Sequence, residues 1–155
     1  MYNKVFISPP KSLSRSFTLI ELIVVIIIVG ILAAVGISQY SLIVEKGRTA
    51  EAKVRIGTMR QLAYQYYLEN KDMTNIQDAD VGVDYTCYST DFYKYHTSPS
   101  SSSGVHLYAY RCTVDGKTPN VSRMYRYELW FFPAGQSDWH CRYLDDNSSC
   151  FGLTP

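Results

Sequence analysis

A chain of 155 residues with a formal net charge of +1 has room for one modest domain beside whatever its N-terminus forms. Three of its 15 basic side chains, Lys4, Lys11 and Arg15, precede the first acid, Glu21. Residues 17–155 therefore hold 12 basic side chains (15 minus 3) against 14 acidic ones, a net charge of −2. This balance excludes a broad basic field for nucleic acid, and no specific nucleic-acid partner is predicted.

The first predicted element is a membrane-length helix. Residues Phe17 to Ile37 form an apolar run in which Glu21 is the only charge, and as a helix this run is about 31 Å long, close to the thickness of a bilayer core. Basic residues precede it and none follows until Lys46, so the N-terminus is expected to stay in the cytoplasm. A secretory signal would have a shorter apolar core followed by a small-x-small cleavage site.

Glu21 is the feature of this run that a plain membrane anchor does not explain. A carboxylate in hydrocarbon costs at least about 2.5–3.5 kcal/mol unless it is paired, and the nearest base in the sequence is Arg15. Cleavage between Ser16 and Phe17 would create an α-amine at the membrane boundary, and that amine in one copy could pair with Glu21 of the next. The alternative is an uncleaved signal anchor in which the carboxylate of Glu21 reaches the interface between membrane and water.

The stretch Ser16–Glu21, which reads Ser-Phe-Thr-Leu-Ile-Glu before the apolar run with Gly30, resembles the processing and methylation motif of type IV pilins and type II secretion pseudopilins. The resemblance is strongest over residues 15–70. It implies that a prepilin peptidase removes residues 1–16 as a leader and that Phe17 becomes N-methylated. It also implies assembly with other copies or related pilins into a helical filament, by means of an assembly ATPase and an inner-membrane platform protein.

Two positions depart from the family pattern. Ser16 stands before the cut where Gly is nearly always found, so slower processing is expected. Ser38 stands where many members have Pro, which would kink the helix. Gly30 and Gly36 are then the remaining weak points of the helix, each costing about 1 kcal/mol relative to Ala.

Beyond Ser38 the apolar residues recur with a helical period, which predicts an amphipathic continuation with one buried stripe. The stripe consists of Ala52, Ile56, Met59, Ala63 and Tyr66. Since no strong breaker intervenes, we expect one helix from Phe17 to near Asn70, with residues 17–40 as its membrane and filament-core part and residues 41–70 as its amphipathic part. The charged face of residues 45–60 could pair with a neighbouring subunit, with lipid headgroups or with solvent alone.

The sequence of residues 71–155 predicts a globular head that contains a β-sheet. Alternation in Val105–Tyr110, Tyr125–Phe131 and Trp139–Tyr143 indicates three strands of an antiparallel meander, with room for a short fourth. Val81–Tyr88 could include one short strand, and the serine-rich Ser98–Gly104 is expected to be a flexible loop. We expect the apolar face of the sheet to pack on the helix stripe. The predicted fold class is therefore α+β: a long N-terminal helix packed on a small antiparallel sheet of three or four strands.

The cysteines all follow the apolar run, and an even number in an exported region favours disulfides. They are Cys87, Cys112, Cys141 and Cys150. Three pairings exist; local closure favours Cys87–Cys112 with Cys141–Cys150, each bridge contributing about 2.5–3.5 kcal/mol in the chain-entropy model. Free buried thiols are the alternative, and no Cys/His spacing indicates zinc.

No catalytic constellation is recognisable, because the three histidines, His96, His106 and His140, lie in separate segments. We therefore predict a structural protein rather than an enzyme, without a cofactor. The one metal alternative is calcium near four oxygen-bearing side chains, although their spacing matches no EF-hand loop. These are Asp138, Asp145, Asp146 and Asn147.

The sequence thus predicts a pilin of a type IV pilus or related filament, polymerised through its N-terminal helix. Because an unmatched carboxylate in a stack of helices disfavours wrong registers, Glu21 would enforce the stagger between copies. The precursor would cross the inner membrane once with a periplasmic head, and the product would be an extracellular pilus or a periplasmic pseudopilus. The alternatives are a type II secretion pseudopilin and a periplasmic binding module on an uncleaved anchor; the disulfides and the serine loop favour a pilin.

Overall fold

The computed structural model describes residues 17–120 and 124–151. In chain order, its elements are α1 (Leu19–Asn70), a 3₁₀ helix (Asp78–Val81), β1 (Tyr93–Ser101), β2 (Gly104–Arg111), β3 (Tyr125–Phe131) and β4 (Asp138–Tyr143). The predicted α+β class, with one long N-terminal helix and a small antiparallel sheet, is confirmed.

The chain divides into two compact units between Ser41 and Leu42. In the first unit, every described side chain from Phe17 to Ile37 is exposed. Among the described residues, α1 is the helix that is long and apolar enough to cross a membrane. This part of α1 therefore has no core of its own.

The second unit is built on a four-stranded meander in the order β1-β2-β3-β4, in which every pair of neighbours is antiparallel. One line of paired residues crosses the sheet from Tyr95 through Ala109 and Tyr127 to Cys141. All four are buried, so this register places one face of the sheet on the core. Consecutive strands are neighbours throughout the sheet, which is the simplest antiparallel topology.

The predicted helix stripe forms the other side of that core. Ala52, Ile56, Met59 and Ala63 are fully buried in one cluster with the inward residues of the sheet, and Tyr66 packs against it partly buried. Burial of a side chain such as Ile56 contributes about 1.5–3 kcal/mol. The stripe expected from the 3.6-residue period is therefore the surface that holds the head on α1.

Two expectations for residues 71–104 are wrong. The segment 98–101 lies in β1 rather than in a flexible loop, and only Ser102 and Ser103 form the turn to β2. Asp78 explains part of this, since its carboxylate accepts hydrogen bonds from both the backbone nitrogen and the hydroxyl of Thr97. Pro99 is tolerated because β1 is an edge strand.

Val81–Tyr88 contains no strand. It begins with the last residue of the 3₁₀ helix, and Gly82 then adopts a left-handed conformation with φ 67° that ends this helix. Val81 is buried, but it packs from this turn rather than from a strand. The expected short fourth strand of the sheet is thus β1, farther along the chain.

The structure contains two disulfides, as expected of an exported domain. Cys87–Cys112 links the segment before β1 to the residue after β2, across 25 positions. Cys141–Cys150 links β4 to the segment that follows it, across 9 positions. Both bridges therefore fasten connections to the sheet.

Candidate assembly site

The start of α1 holds Glu21 in a reciprocal cap. Oε2 of Glu21 accepts hydrogen bonds from the backbone nitrogen of Thr18 at 2.8 Å and from its hydroxyl at 2.6 Å. The backbone nitrogen of Glu21 donates in return to Oγ1 of Thr18 at 3.4 Å. This is a capping box, in which Thr18 and Glu21 satisfy donors of the first helical turn.

The cap gives the carboxylate of Glu21 hydrogen-bond donors, but it does not neutralise the negative charge. Among the described residues, the hydrogen-bond partner of the Glu21 carboxylate is the neutral Thr18. The carboxylate is exposed along with the apolar side chains around it. The hydrogen bonds from Thr18 therefore bring no positive charge to Glu21.

Phe17 is the first described residue, and it is 78 % exposed. Ser16 and the rest of the predicted leader, residues 1–16, lie outside the described residues. Cleavage between Ser16 and Phe17 and methylation of Phe17 stay predictions.

A second glutamate of α1, Glu45, has a very different setting. Its Oε1 accepts hydrogen bonds from Nε of Arg111 at 2.5 Å and from the hydroxyl of Tyr125 at 2.8 Å. Its Oε2 accepts one from Arg48 at 2.7 Å. The side chain of Arg111 is completely buried, and it also donates to the carbonyl oxygen of Phe92.

These contacts decide the ionisation of the cluster. Burial opposes the charge on Glu45, but the hydrogen bonds from Arg111 and Tyr125 outweigh it and hold the pKa of Glu45 below its ordinary value. Burial raises the pKa of the Tyr125 hydroxyl, which also shares a hydrogen bond with the Tyr93 hydroxyl at 2.8 Å. The cluster therefore pairs an ionised carboxylate with a guanidinium and neutral tyrosines, and it fastens α1 to β2 and β3.

The sheet brings the three histidines to its outer face, although they are distant in sequence. His106 stacks on Trp130 with ring centroids 5.0 Å apart, and Trp130 contacts His140 at 4.2 Å. His96 pairs with Asp78 at 2.9 Å. Within the described part of the chain, no group of three or more acidic, His or Cys side chains is placed to hold a metal ion.

The four residues considered for calcium lie at both ends of β4. Asp138 begins the strand, and Asp145, Asp146 and Asn147 are in the exposed turn after it. Oδ1 of Asp146 accepts hydrogen bonds from the backbone nitrogen and hydroxyl of Ser148. Calcium binding here stays an untested alternative.

Comparisons with known proteins place these features in a family. Residues 11–37 match the family model of the prokaryotic N-terminal methylation motif. The chain is similar to the type IV major fimbrial protein FimA of Dichelobacter nodosus, with 39% identity over 62 residues, and the match spans only 40% of the length of each protein. No solved structure matches the chain.

The likeness to the fimbrial protein EcpC of Eikenella corrodens is longer. It extends over 113 residues at 30% identity and covers 70% of this chain and 73% of EcpC. It therefore reaches well beyond the methylation motif and into the head. On the strength of this coverage and of the motif around Phe17 and Glu21, the chain belongs to the type IV pilin family.

Proposed function

We propose that this chain is a structural subunit of a type IV pilus or a related filament, without catalytic activity. Its precursor is cut between Ser16 and Phe17, and the mature chain polymerises through the N-terminal part of α1. The observation that carries the proposal is the membrane-length segment from Phe17 to Ile37, which exposes all its apolar side chains and one carboxylate, Glu21.

A lone membrane anchor would leave that carboxylate without a counter-charge. The hydrogen bonds from Thr18 satisfy acceptor sites of Glu21, but they supply no positive charge. The α-amine of a processed Phe17 in a neighbouring copy would supply it at the correct depth. In a filament outside the bilayer, the exposed apolar side chains also need apolar neighbours, and the same helix of other copies offers them.

The features of the head support an exported location. Two disulfides are typical of a domain that folds in an oxidising compartment such as the periplasm. The precursor would cross the inner membrane once, with its head in the periplasm. A prepilin peptidase, an inner-membrane platform protein and an assembly ATPase are the partners that this route requires.

We favour a pilus over a secretion pseudopilus. FimA and EcpC, the two relatives compared above, are both named as fimbrial proteins. The segment closed by Cys141–Cys150 includes the exposed and mostly polar residues 144–149. Such a surface suits a fibre that meets other surfaces outside the cell.

The test is to shear filaments from cells that make the native protein and to sequence its N-terminus by mass spectrometry. We expect a surface fraction in which the chain begins with methylated Phe17. Processed chains confined to periplasmic filaments would favour the pseudopilin instead. Recovery of only an unprocessed monomer in the membrane would favour the anchored binding module and refute the proposed function.

A further inference from the structure

The two sides of the buried stripe of α1 face surroundings of different charge. On one side, Lys46, Lys53 and Arg60 recur every seventh residue, so they lie nearly in line along about 21 Å of helix. All three are exposed. We call these three residues the basic line.

The opposite side of α1 borders a groove of about 930 Å³, which we call the acidic groove. Its walls are residues 50–58 of α1 and residues 79–91 of the connection to β1. The groove contains three carboxylates, Glu51, Asp84 and Asp91, against one guanidinium, Arg55. Arg55 is already fastened to the wall, because it donates a hydrogen bond to the carbonyl oxygen of Gly82 at 2.7 Å.

The three carboxylates have only neutral partners within the described chain. Glu51 accepts a hydrogen bond from the backbone nitrogen of Phe92, and Asp84 accepts one from the hydroxyl of Tyr88. Asp91 accepts one from the hydroxyl of Thr90. None of the ion pairs among the described residues includes these carboxylates or a member of the basic line.

The acidic groove also has an apolar component. Val54, between its charged residues on α1, is 73 % exposed, and Val83 lines the opposite wall. A partner in the groove would therefore cover apolar surface and would supply positive charge. Long basic side chains do both, because their aliphatic stems cover apolar groups while their charged ends reach carboxylates.

We infer that the acidic groove of one copy receives the basic line of a second copy, and that this contact joins neighbouring heads in the filament. The two surfaces are different parts of the same chain, so the contact is heterologous: each copy offers a groove to one neighbour and a line to another. Such contacts propagate into open helical polymers when they do not close into a ring. The inference rests on the proposed function, because it assumes that the chain forms filaments.

Cross-linking tests the geometry. The full chain with Lys53→Cys and Asp84→Cys would be treated, as filaments, with a short bismaleimide; the native cysteines do not react because all four are in disulfides. We expect a ladder of dimers, trimers and larger species. The matched controls are the two single-cysteine chains, which can give dimers at most, and a double variant that gives no more product than they do overturns the inference.

Charge exchange tests the energetics. A groove-reversed chain (Asp84→Lys with Asp91→Lys) and a line-reversed chain (Lys53→Glu with Arg60→Glu) should each lower the yield of sheared filaments about fivefold, since each exchanges attraction for repulsion. Combining all four changes should restore the yield to within about twofold. Glu69→Lys, an exposed charge reversal of α1 outside the groove, is the control that should leave the yield unchanged.

The outcomes separate this inference from the proposed function. If the native chain polymerises but the four-fold exchange restores nothing, the docking of line and groove is wrong while the filament proposal stands. If the native chain forms no filaments, both are wrong. Protease resistance of the head in membranes, measured for every variant, shows that a lost filament does not simply reflect a head that fails to fold.

Discussion

Two glutamates of the same helix, Glu21 and Glu45, show how differently the two units of this molecule satisfy a charge. Glu45 lies in the head, where Arg111 and Tyr125 reach it from β2 and β3. Glu21 lies in the N-terminal unit, where among the described residues Thr18 is its partner and no cation approaches. The first carboxylate is paired with a cation inside the head, and the second has only a neutral partner among the described residues.

The contrast between these two carboxylates gives a way to recognise an interface before its partner is known. A charge that a fold buries is paired within that fold, as Glu45 is, because a buried unpaired charge is costly. A charge placed among exposed apolar side chains and left without a counter-ion indicates a partner outside the chain. Substitutions at the two glutamates and at their partners test that distinction.

Glu21→Ala should have the largest effect. The variant should still insert into the membrane, because the apolar run is intact, but the yield of sheared filaments should fall at least about tenfold, as close charge pairs at interfaces couple by about 1.5 kcal/mol or more. Glu21→Gln sharpens the test, since it keeps an acceptor for Thr18 and removes the charge. A normal filament yield from both variants would show that the charge of Glu21 is not needed for assembly.

Arg111→Met should destabilise the head by about 3 kcal/mol, because it leaves Glu45 buried without the guanidinium that reaches it from β2. Urea unfolding of the full chain in detergent micelles, followed by tryptophan fluorescence, measures the loss. Combining this change with Glu45→Gln should cost less than the sum of the two single changes. Additive effects would mean that Glu45 and Arg111 do not act as a pair.

Some features of the two units could be predicted from local sequence patterns, and others could not. The stripe of α1 and the strands β2 to β4 follow from periods of 3.6 and 2, which are local. The Thr18–Glu21 cap was also visible in principle, as a Thr followed three residues later by Glu before an apolar run. The ion pair between Glu45 and Arg111 could not be predicted, since Arg111 is 66 residues away and only the folded sheet brings it to α1.

The sequence leaves room for a fourth strand but does not locate β1, for a related reason. Its second half, Ser98–Ser101, has the composition of a loop, and serines do not report which face of a strand is buried. What holds this part of the chain in the sheet is pairing with β2 and the bonds from Thr97 to Asp78, which is 19 residues away. Contacts of this kind are set by tertiary structure and leave no periodic signal.

Acid should weaken the head through Glu45. Its folded-state pKa is below the ordinary value of 4.5, so its contribution to the free energy of unfolding is complete above that pH and is lost as the pH falls through the lowered pKa. Urea midpoints measured from pH 7 down to pH 3 should therefore fall less steeply in Glu45→Gln than in the native chain. Glu69→Gln, which removes an exposed carboxylate of α1, is the control and should retain the native slope.

Thr18→Val should have the smallest effect, and it separates the partner of Glu21 within one copy from its partner in the filament. Loss of the capping hydroxyl costs about 1 kcal/mol, so hydrogen exchange in the first turn of α1 should accelerate about fivefold in micelles. The filament yield should change less than about twofold, because the partner proposed for Glu21 in the filament, the amine of a neighbouring copy, does not depend on the hydroxyl of Thr18. For the hydrogen exchange alone, Thr58→Val is the matched control, since its hydroxyl bonds to the carbonyl oxygen of Val54 within the helix and caps nothing. If Thr18→Val is processed normally but abolishes filaments as Glu21→Ala does, then the hydroxyl of Thr18 is the decisive partner of Glu21, and the contrast between the two glutamates loses its meaning for assembly.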